Sequence, residues 1–187
     1  MKRNQVILIY GLPASGKYTM AKHIQEKCGG ILFDNHYFHD MFQNIIYVPE
    51  KRRPEYYEKI IMLRATFLDI IKTFYKSKDF TRFIFTSVLL DGDKLPEILK
   101  NFADDMDADF IPIGLSAPDD VLLTRCDTPY RKSRKKISSV QKYSKILPNM
   151  RSHPFVCKYK NNLIVETGNT SENDTLKKIL KHLKKFD

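Results

Sequence analysis

The sequence lacks the features of a membrane protein, a disulfide scaffold and a repeat protein. None of its hydrophobic runs approaches the ~20 residues that span a bilayer. Its three cysteines, Cys28, Cys126 and Cys157, are far apart, odd in number and without the spacing of a zinc site. It contains no internal repeat and no low-complexity linker. These absences predict a cytoplasmic protein with no disulfide framework, no metal finger and no membrane partner.

Length and charge limit the fold and its ligands. The chain has 187 residues, 42% of them hydrophobic, which is enough for one well-formed core and too little for two. We therefore expect a single domain over 1–187. The sequence leaves its oligomeric state undecided. Lys and Arg number 32 against 22 Asp and Glu, a formal net charge of +10. This excess suits polyphosphates or nucleic acid, and an even coat of solubilising lysines would give the same number.

A glycine-rich loop follows the first apolar run. Residues 5–10 suit a buried parallel strand, and Gly11-Leu-Pro-Ala-Ser-Gly16-Lys17 leads directly into a helical pattern. This is the P-loop signature, in which backbone N–H groups surround a polyphosphate, the lysine reaches its outer phosphates and the helix N-terminus adds its positive end. The sequence therefore predicts a nucleoside triphosphate site. Its predicted ligands in this segment are Gly11, Pro13, Ala14, Ser15, Gly16, Lys17, Tyr18 and Thr19.

Tyr18 departs from the signature. The motif has Ser or Thr at this position, because a short hydroxyl there holds magnesium. A tyrosine hydroxyl lies several bonds farther from the backbone and cannot occupy the same point. Thr19 and Asp34 are then the candidate magnesium ligands of the chain, beside phosphate oxygens and water. The expected cofactors are ATP and Mg²⁺.

Strand-like and helix-like segments alternate along the chain. Strands are expected at 5–10, 31–33, 82–88, 109–115 and 162–166, each followed by helical material. This alternation predicts an α/β fold with a mainly parallel sheet, right-handed crossovers and helices on both faces. The longest helix is expected from Glu55 to about Lys76. Its buried side is predicted to carry Ile60, Ile61, Phe67, Leu68, Ile71 and Phe74.

These segments resemble the small P-loop kinases, which include nucleoside monophosphate kinases, shikimate and gluconate kinases and chloramphenicol phosphotransferase. The similarity is strongest in the loop and continues at Asp34, after the second strand. Residues 122–125, followed by Arg131 and Arg134, are similar to the arginine-bearing lid of the group, and 164–172 to its last strand and base-side loop. The resemblance implies a three-layer P-loop NTPase fold with a five-stranded sheet in the order 2-3-1-4-5. It leaves the phosphoryl acceptor open.

Phosphoryl transfer requires charge neutralisation at the γ-phosphate, an aligned nucleophile and exclusion of water. Lys17 is expected to meet the first need with Arg131 and Arg134, which would reach the phosphates from a lid at about 126–147. Asp34 is expected to orient or deprotonate an acceptor hydroxyl. The competing interpretation of Asp34 is a helix-capping or turn aspartate.

The remaining site residues are assigned to the two substrates. Arg125 is expected to stack on adenine, and Thr167 to contact the nucleotide from the base-side loop. An insert at about 35–57 is expected to bind the acceptor. Its candidate residues, with one cation on the following helix, are His36, Arg53 and Arg64.

Three functions compete at this stage. The first is an ATP-dependent kinase that acts on a small hydroxyl or phosphate acceptor, such as a nucleoside or nucleotide. The second is a polynucleotide 5′-kinase or RNA-associated phosphotransferase, which the positive charge favours. The third is a non-catalytic nucleotide-binding protein, which Tyr18 favours.

Overall fold

Five parallel strands form the centre of the molecule. The computed structural model describes residues 3–45, 54–75, 80–133 and 136–187, with the side chains at 42–45, 54, 130 and 133 also outside the description. The strands are β1 (Asn4–Tyr10), β2 (Ile31–Asp34), β3 (Arg82–Ser87), β4 (Ala108–Ser116) and β5 (Leu163–Glu166). Their order is β2-β3-β1-β4-β5, and every pairing is parallel. The predicted sheet order is confirmed.

Helices lie on both faces of this sheet, which confirms the three-layer α/β prediction. They are α1 (Lys17–Cys28), α2 (His36–Ile45), α3 (Pro54–Tyr75), α4 (Leu95–Asp105), α5 (Asp119–Cys126), α6 (Pro129–Ser133), α7 (Val140–Ser152) and α8 (Glu172–Leu183), with a 3₁₀ turn at Lys184–Phe186. Buried side chains of α1 and α8 pack on one face, and those of α3 and α4 pack on the other.

Alternation along β1 divides the core into two layers. Val6 and Leu8 pack with Phe83 towards α3 and α4, whereas Ile7 and Ile9 point towards α1 and α8. All five side chains are fully buried. Each stabilises the fold by roughly 1.5–3 kcal/mol through loss of water contact. The continuous apolar run of β1 therefore reflects burial of a central strand on both faces.

A third, smaller cluster supports the glycine loop. Ala14 packs with Leu122 and Cys126 of α5 and with Tyr143 and Leu147 of α7. The Tyr143 hydroxyl donates a 2.8 Å hydrogen bond to the Pro13 carbonyl. The loop is therefore supported by α5 and α7.

One predicted core position on α3 is wrong. Phe74 is 66% exposed, whereas Ile60, Leu68 and Ile71 are buried. The buried face continues instead to Tyr75, whose ring meets Phe83 edge to face at 5.8 Å between centroids. A step of four from Ile71 stays closer to the same side of a helix than a step of three, because a helical residue turns the chain by about 100°.

Within the described ranges, no helix is both long and apolar enough to cross a membrane. Cys28, Cys126 and Cys157 are free thiols.

A buried arginine joins the start of the sheet to the last residue of the chain. Arg82 donates from Nε to Gln5 Oε1 at 2.8 Å, from Nη1 to the Cys28 carbonyl at 2.6 Å and from Nη2 to Asp187 Oδ1 at 2.5 Å. Its guanidinium also lies 4.5 Å from the ring centroid of Phe80. One side chain thus satisfies three acceptors on separate elements.

Arg82→Met is expected to lower the free energy of unfolding by about 3 kcal/mol, because it removes a buried guanidinium with three hydrogen bonds and leaves Gln5 Oε1 buried without this donor. The measurement is urea denaturation followed by circular dichroism. Arg3→Met is the control, since Arg3 also pairs with carboxylates but its side chain is half exposed. Its cost should stay within about 0.5 kcal/mol. Equal losses in the two variants would contradict this account of Arg82.

Candidate active site

The glycine loop runs from the carboxyl end of β1 to the first turn of α1. Gly11 has φ of 147° and Gly16 has φ of 92°, both disfavoured for residues with a Cβ. A Cβ at Gly11 would collide with the Leu115 carbonyl oxygen of β4. Gly16 directly precedes α1 and accepts the Met20 N–H at 3.0 Å. The two glycines of the motif therefore make possible the turn that places this loop at the N-terminus of a helix.

Lys17 is the first residue of α1, and its ammonium turns back over the loop. Nζ donates a 2.8 Å hydrogen bond to the Leu12 carbonyl. Desolvation of the ammonium, with repulsion from Arg131 and Lys136, lowers the pKa of Lys17 to about 7. The motif lysine thus lies among other cations, an arrangement that favours an anion.

Asp34 ends β2 and lies beside Thr86 of β3. Its side chain is 2% exposed. Oδ1 accepts the Thr86 hydroxyl at 3.1 Å and the His36 N–H at 3.2 Å, and Oδ2 lies 3.2 Å from Lys136 Nζ. Burial opposes ionisation, but Lys136 and the His36 amide outweigh it and hold the pKa of Asp34 below its usual range. Asp34 therefore makes the expected turn contact and is also an ionised carboxylate in the cleft.

Lys136 is a site residue that the sequence analysis missed. Its side chain is only 8% exposed, and its ammonium lies 4.8 Å from the ring centroid of Tyr18 as well as beside Asp34. The basic run 131–136 signalled a cation near the phosphates. Nothing in that run distinguished Lys136 from the arginines, because its partners are over 100 residues away in sequence.

Of the predicted lid arginines, Arg131 lines the same cleft as Lys17. Its Nε donates to the Ile137 carbonyl at 2.9 Å, which ties Arg131 to the described residues before α7. Arg134 lies outside the described residues. The lid prediction at 126–147 covers α6, this connection and the first half of α7, and lid motion stays a prediction.

Arg125 and Thr167, the two residues predicted near the nucleotide base, are in direct contact. Arg125 donates from Nη1 to the Thr167 hydroxyl at 3.2 Å and from Nη2 to the Thr167 carbonyl at 2.7 Å. The Thr167 hydroxyl donates in turn to the Ser116 carbonyl at 3.0 Å. Residues 42 positions apart in sequence therefore form one wall of the cleft.

On the side of α3, Arg64 faces the cleft near Asp34. Its Nη2 donates a short hydrogen bond to Asn35 Oδ1, and Asn35 contacts the Ser87 hydroxyl at 3.5 Å. Within the described part of the chain, the buried Nε of Arg64 has no hydrogen-bond partner. Next to it, His39 Nδ1 lies 2.7 Å from the Tyr56 hydroxyl. Arg53, the other predicted acceptor cation, lies outside the described residues.

One cleft of about 730 Å³ gathers most of the predicted site. Gly11 lies outside its lining and acts through backbone shape. The predicted residues that line the cleft are Pro13, Ala14, Ser15, Gly16, Lys17, Tyr18, Thr19, Asp34, His36, Arg64, Arg125, Arg131 and Thr167.

Burial is the main reason that the pKa of His36 is lowered, so its imidazole is neutral at neutral pH.

A resident magnesium ion fits these residues poorly. Tyr18 replaces the short hydroxyl, and Asp34 Oδ2 is engaged by Lys136. The described ranges contain no group of three His, Cys, Asp or Glu side chains that could hold a metal ion. Thr19 lines the cleft, and its role as a magnesium ligand, like that of Asp34, stays a prediction.

No protein-family model and no curated protein matches the chain. Solved structures do match. A protein described only provisionally as a kinase, from Chloroflexus aurantiacus J-10-fl, is 17% identical with a TM-score of 0.68, over 97% of this chain and 99% of that one. The APS kinase of Mycobacterium tuberculosis, solved with AMPPNP and APS, is 12% identical with a TM-score of 0.60, over 98% and 99%.

Shikimate kinase from Aquifex aeolicus VF5 is 18% identical with a TM-score of 0.51, over 97% of each chain. At identities this low, the structural similarity establishes the fold only, and the activity has to be argued from the site. The strand order, the loop between β1 and α1 and these likenesses agree. The chain has the small P-loop kinase fold.

Proposed function

We propose that the chain is an ATP-dependent phosphotransferase, which moves the γ-phosphate of ATP to a small-molecule hydroxyl or phosphate acceptor. The observation that carries the proposal is the position of Asp34 within one cleft. The Asp34 carboxylate attracts the Lys17 ammonium electrostatically. Its neighbour Asn35 accepts a hydrogen bond from Arg64. A phosphate donor at the loop and an acceptor beside α3 would therefore meet at Asp34.

Each group has a defined task in this scheme. Loop N–H groups, Lys17 and Arg131 bind the phosphates and neutralise the charge that develops during transfer. The ionised Asp34 accepts a hydrogen bond from the acceptor hydroxyl and aligns its oxygen for attack. Arg64 offers its buried Nε to an anionic group of the acceptor.

The proposed organisation is one domain over 1–187, with an acceptor insert at about 35–57 and a lid at about 126–147. Three free thiols support a reducing, cytoplasmic location. Arg125 and Thr167 would contact the base, and closure of the lid would exclude water from the reacting phosphate.

An ADP-release screen tests the activity against nucleosides, nucleotides, sugars, shikimate-like acids and nucleic-acid 5′ ends. At least one small acceptor should stimulate ADP formation, and Lys17→Met should reduce the rate by about 10²–10³-fold. Intact ATP with every acceptor would favour a non-catalytic nucleotide-binding protein. Activity on 5′ ends alone, with steep loss of binding as salt rises, would favour a polynucleotide kinase.

Asp34→Asn should lower kcat by about 10²-fold or more and change the Kd of ATP by less than about threefold, because Asp34 serves the acceptor. Steady-state kinetics and calorimetric titration measure the two effects. Asp127→Asn is the matched control, since this exposed carboxylate pairs with Lys132 on the lid segment. Near-normal turnover in Asp34→Asn would remove Asp34 from the mechanism.

Arg64→Met should raise the KM of an anionic acceptor by about tenfold or more through loss of a charge-assisted hydrogen bond, with ATP binding unchanged. Lys59→Met controls for removal of a cation from α3, because Lys59 is exposed and lies outside the cleft lining. An unchanged KM, or an equal change in the Kd of ATP, would argue against an acceptor role for Arg64.

A further inference from the structure

The residue that breaks the loop signature contacts the lysine that the sequence analysis missed. The Lys136 ammonium lies 4.8 Å from the centroid of the Tyr18 ring. At this distance, cation–π attraction stabilises an ammonium that lies above the face of an aromatic ring, and the attraction is stronger where water is excluded. A Ser or Thr at position 18 would offer no such face. The Tyr18 ring therefore helps to hold the Lys136 ammonium in place beside the loop.

This arrangement places a fixed positive charge beside the glycine loop. The Lys136 side chain is 8% exposed and its ammonium is 3.2 Å from the 2% exposed carboxylate of Asp34. It also lines the same cleft as Lys17 and is near enough to repel it electrostatically. A divalent cation bound between the loop and Asp34 would occupy the same region.

The charges of the cleft match a polyphosphate. Lys17, Arg131 and Lys136 all line it, and the last two repel the Lys17 ammonium electrostatically. The whole lining carries six Lys and Arg side chains against four of Asp and Glu, so positive charge is in excess. The positive excess would be relieved by the negative charges of a nucleoside triphosphate. Nucleotide binding would thus gain from Lys136 what other sites gain from a metal ion.

We propose that the Lys136 ammonium, seated on the Tyr18 ring, takes the place of a protein-held divalent cation at this loop, so that nucleotide binds almost equally well with and without Mg²⁺. The inference deepens the proposed function, because it assumes a nucleoside triphosphate at the loop. It requires no phosphoryl transfer, so binding alone tests it.

The experiment is calorimetric titration with AMPPNP, a non-hydrolysable ATP analogue, in EDTA and in excess Mg²⁺. The wild-type Kd should differ by less than about threefold between the two buffers. Lys136→Met should weaken binding in EDTA by about tenfold or more, which is the loss expected for one charge-assisted contact. The double variant Tyr18→Thr with Lys136→Met regains a short hydroxyl, and added Mg²⁺ should tighten its binding by about tenfold.

Lys132→Met is the matched control, because Lys132 lies on the same segment with an exposed side chain paired to Asp127. Its Kd in EDTA should equal that of the wild type. Lys136→Arg keeps the charge and should retain most of the affinity in EDTA. Thermal unfolding of each variant separates loss of the charge from loss of the fold.

Two results would overturn the inference. One is wild-type binding that tightens tenfold or more on addition of Mg²⁺. The other is a folded Lys136→Met variant that binds like the wild type in EDTA. Metal-insensitive binding together with failure of the ADP-release screen would support the role of Lys136 and refute the kinase activity.

Discussion

Close backbone approach at Gly11 is the constraint on which the site depends. The central strand β1 is paired on both sides, so the chain that leaves it must turn within a narrow space beside β4. A Cβ at Gly11 would overlap the Leu115 carbonyl there. Because the loop turns at this point, α1 begins with Lys17 and presents its N-terminus at the carboxyl edge of the sheet. The other functional groups are arranged around that edge.

Charge compensation organises the remainder of the cleft. Cations from α1 and from the segment before α7 converge on a carboxylate at the end of β2. Burial alone would favour the neutral form of both side chains, the carboxylic acid of Asp34 and the amine of Lys17. Lys136 keeps Asp34 ionised and at the same time makes Lys17 easier to deprotonate. An anionic ligand beside Lys17 would reverse the second effect, because a negative charge stabilises the protonated ammonium.

The sequence was sufficient where local pattern and topology decide the outcome. Alternating segments predicted a mainly parallel sheet with helices on both faces, and the resemblance to small P-loop kinases supplied the strand order. The glycine spacing located the loop because its turn needs φ values that glycine adopts readily. The position of Asp34 at a strand end also followed from the sheet. Pairings between distant side chains were out of reach: Arg64 with Asn35 and Lys136 with Asp34 depend on packing that no local pattern encodes.

The missed lysine and the misplaced Phe74 have one origin. Helical periodicity indicates which side of a helix is buried, but only to within about one residue. At the end of α3 it selected Phe74, which is exposed, in place of its neighbour Tyr75, which packs against the core. A basic run gives a charge without saying which member reaches inward. In both cases a local pattern narrowed the choice to a few neighbouring residues, and tertiary contacts made the final selection.

The hydrogen bond from Tyr143 to Pro13 would limit the movement of the lid proposed at 126–147. Tyr143 and Leu147 are buried against the loop at one end of the segment, and Cys126 is buried at the other. Both ends are thus part of the scaffold. If the proposed lid opens, these two anchors would confine the movement to the chain between them, so that it would open as a short flap hinged at two fixed points.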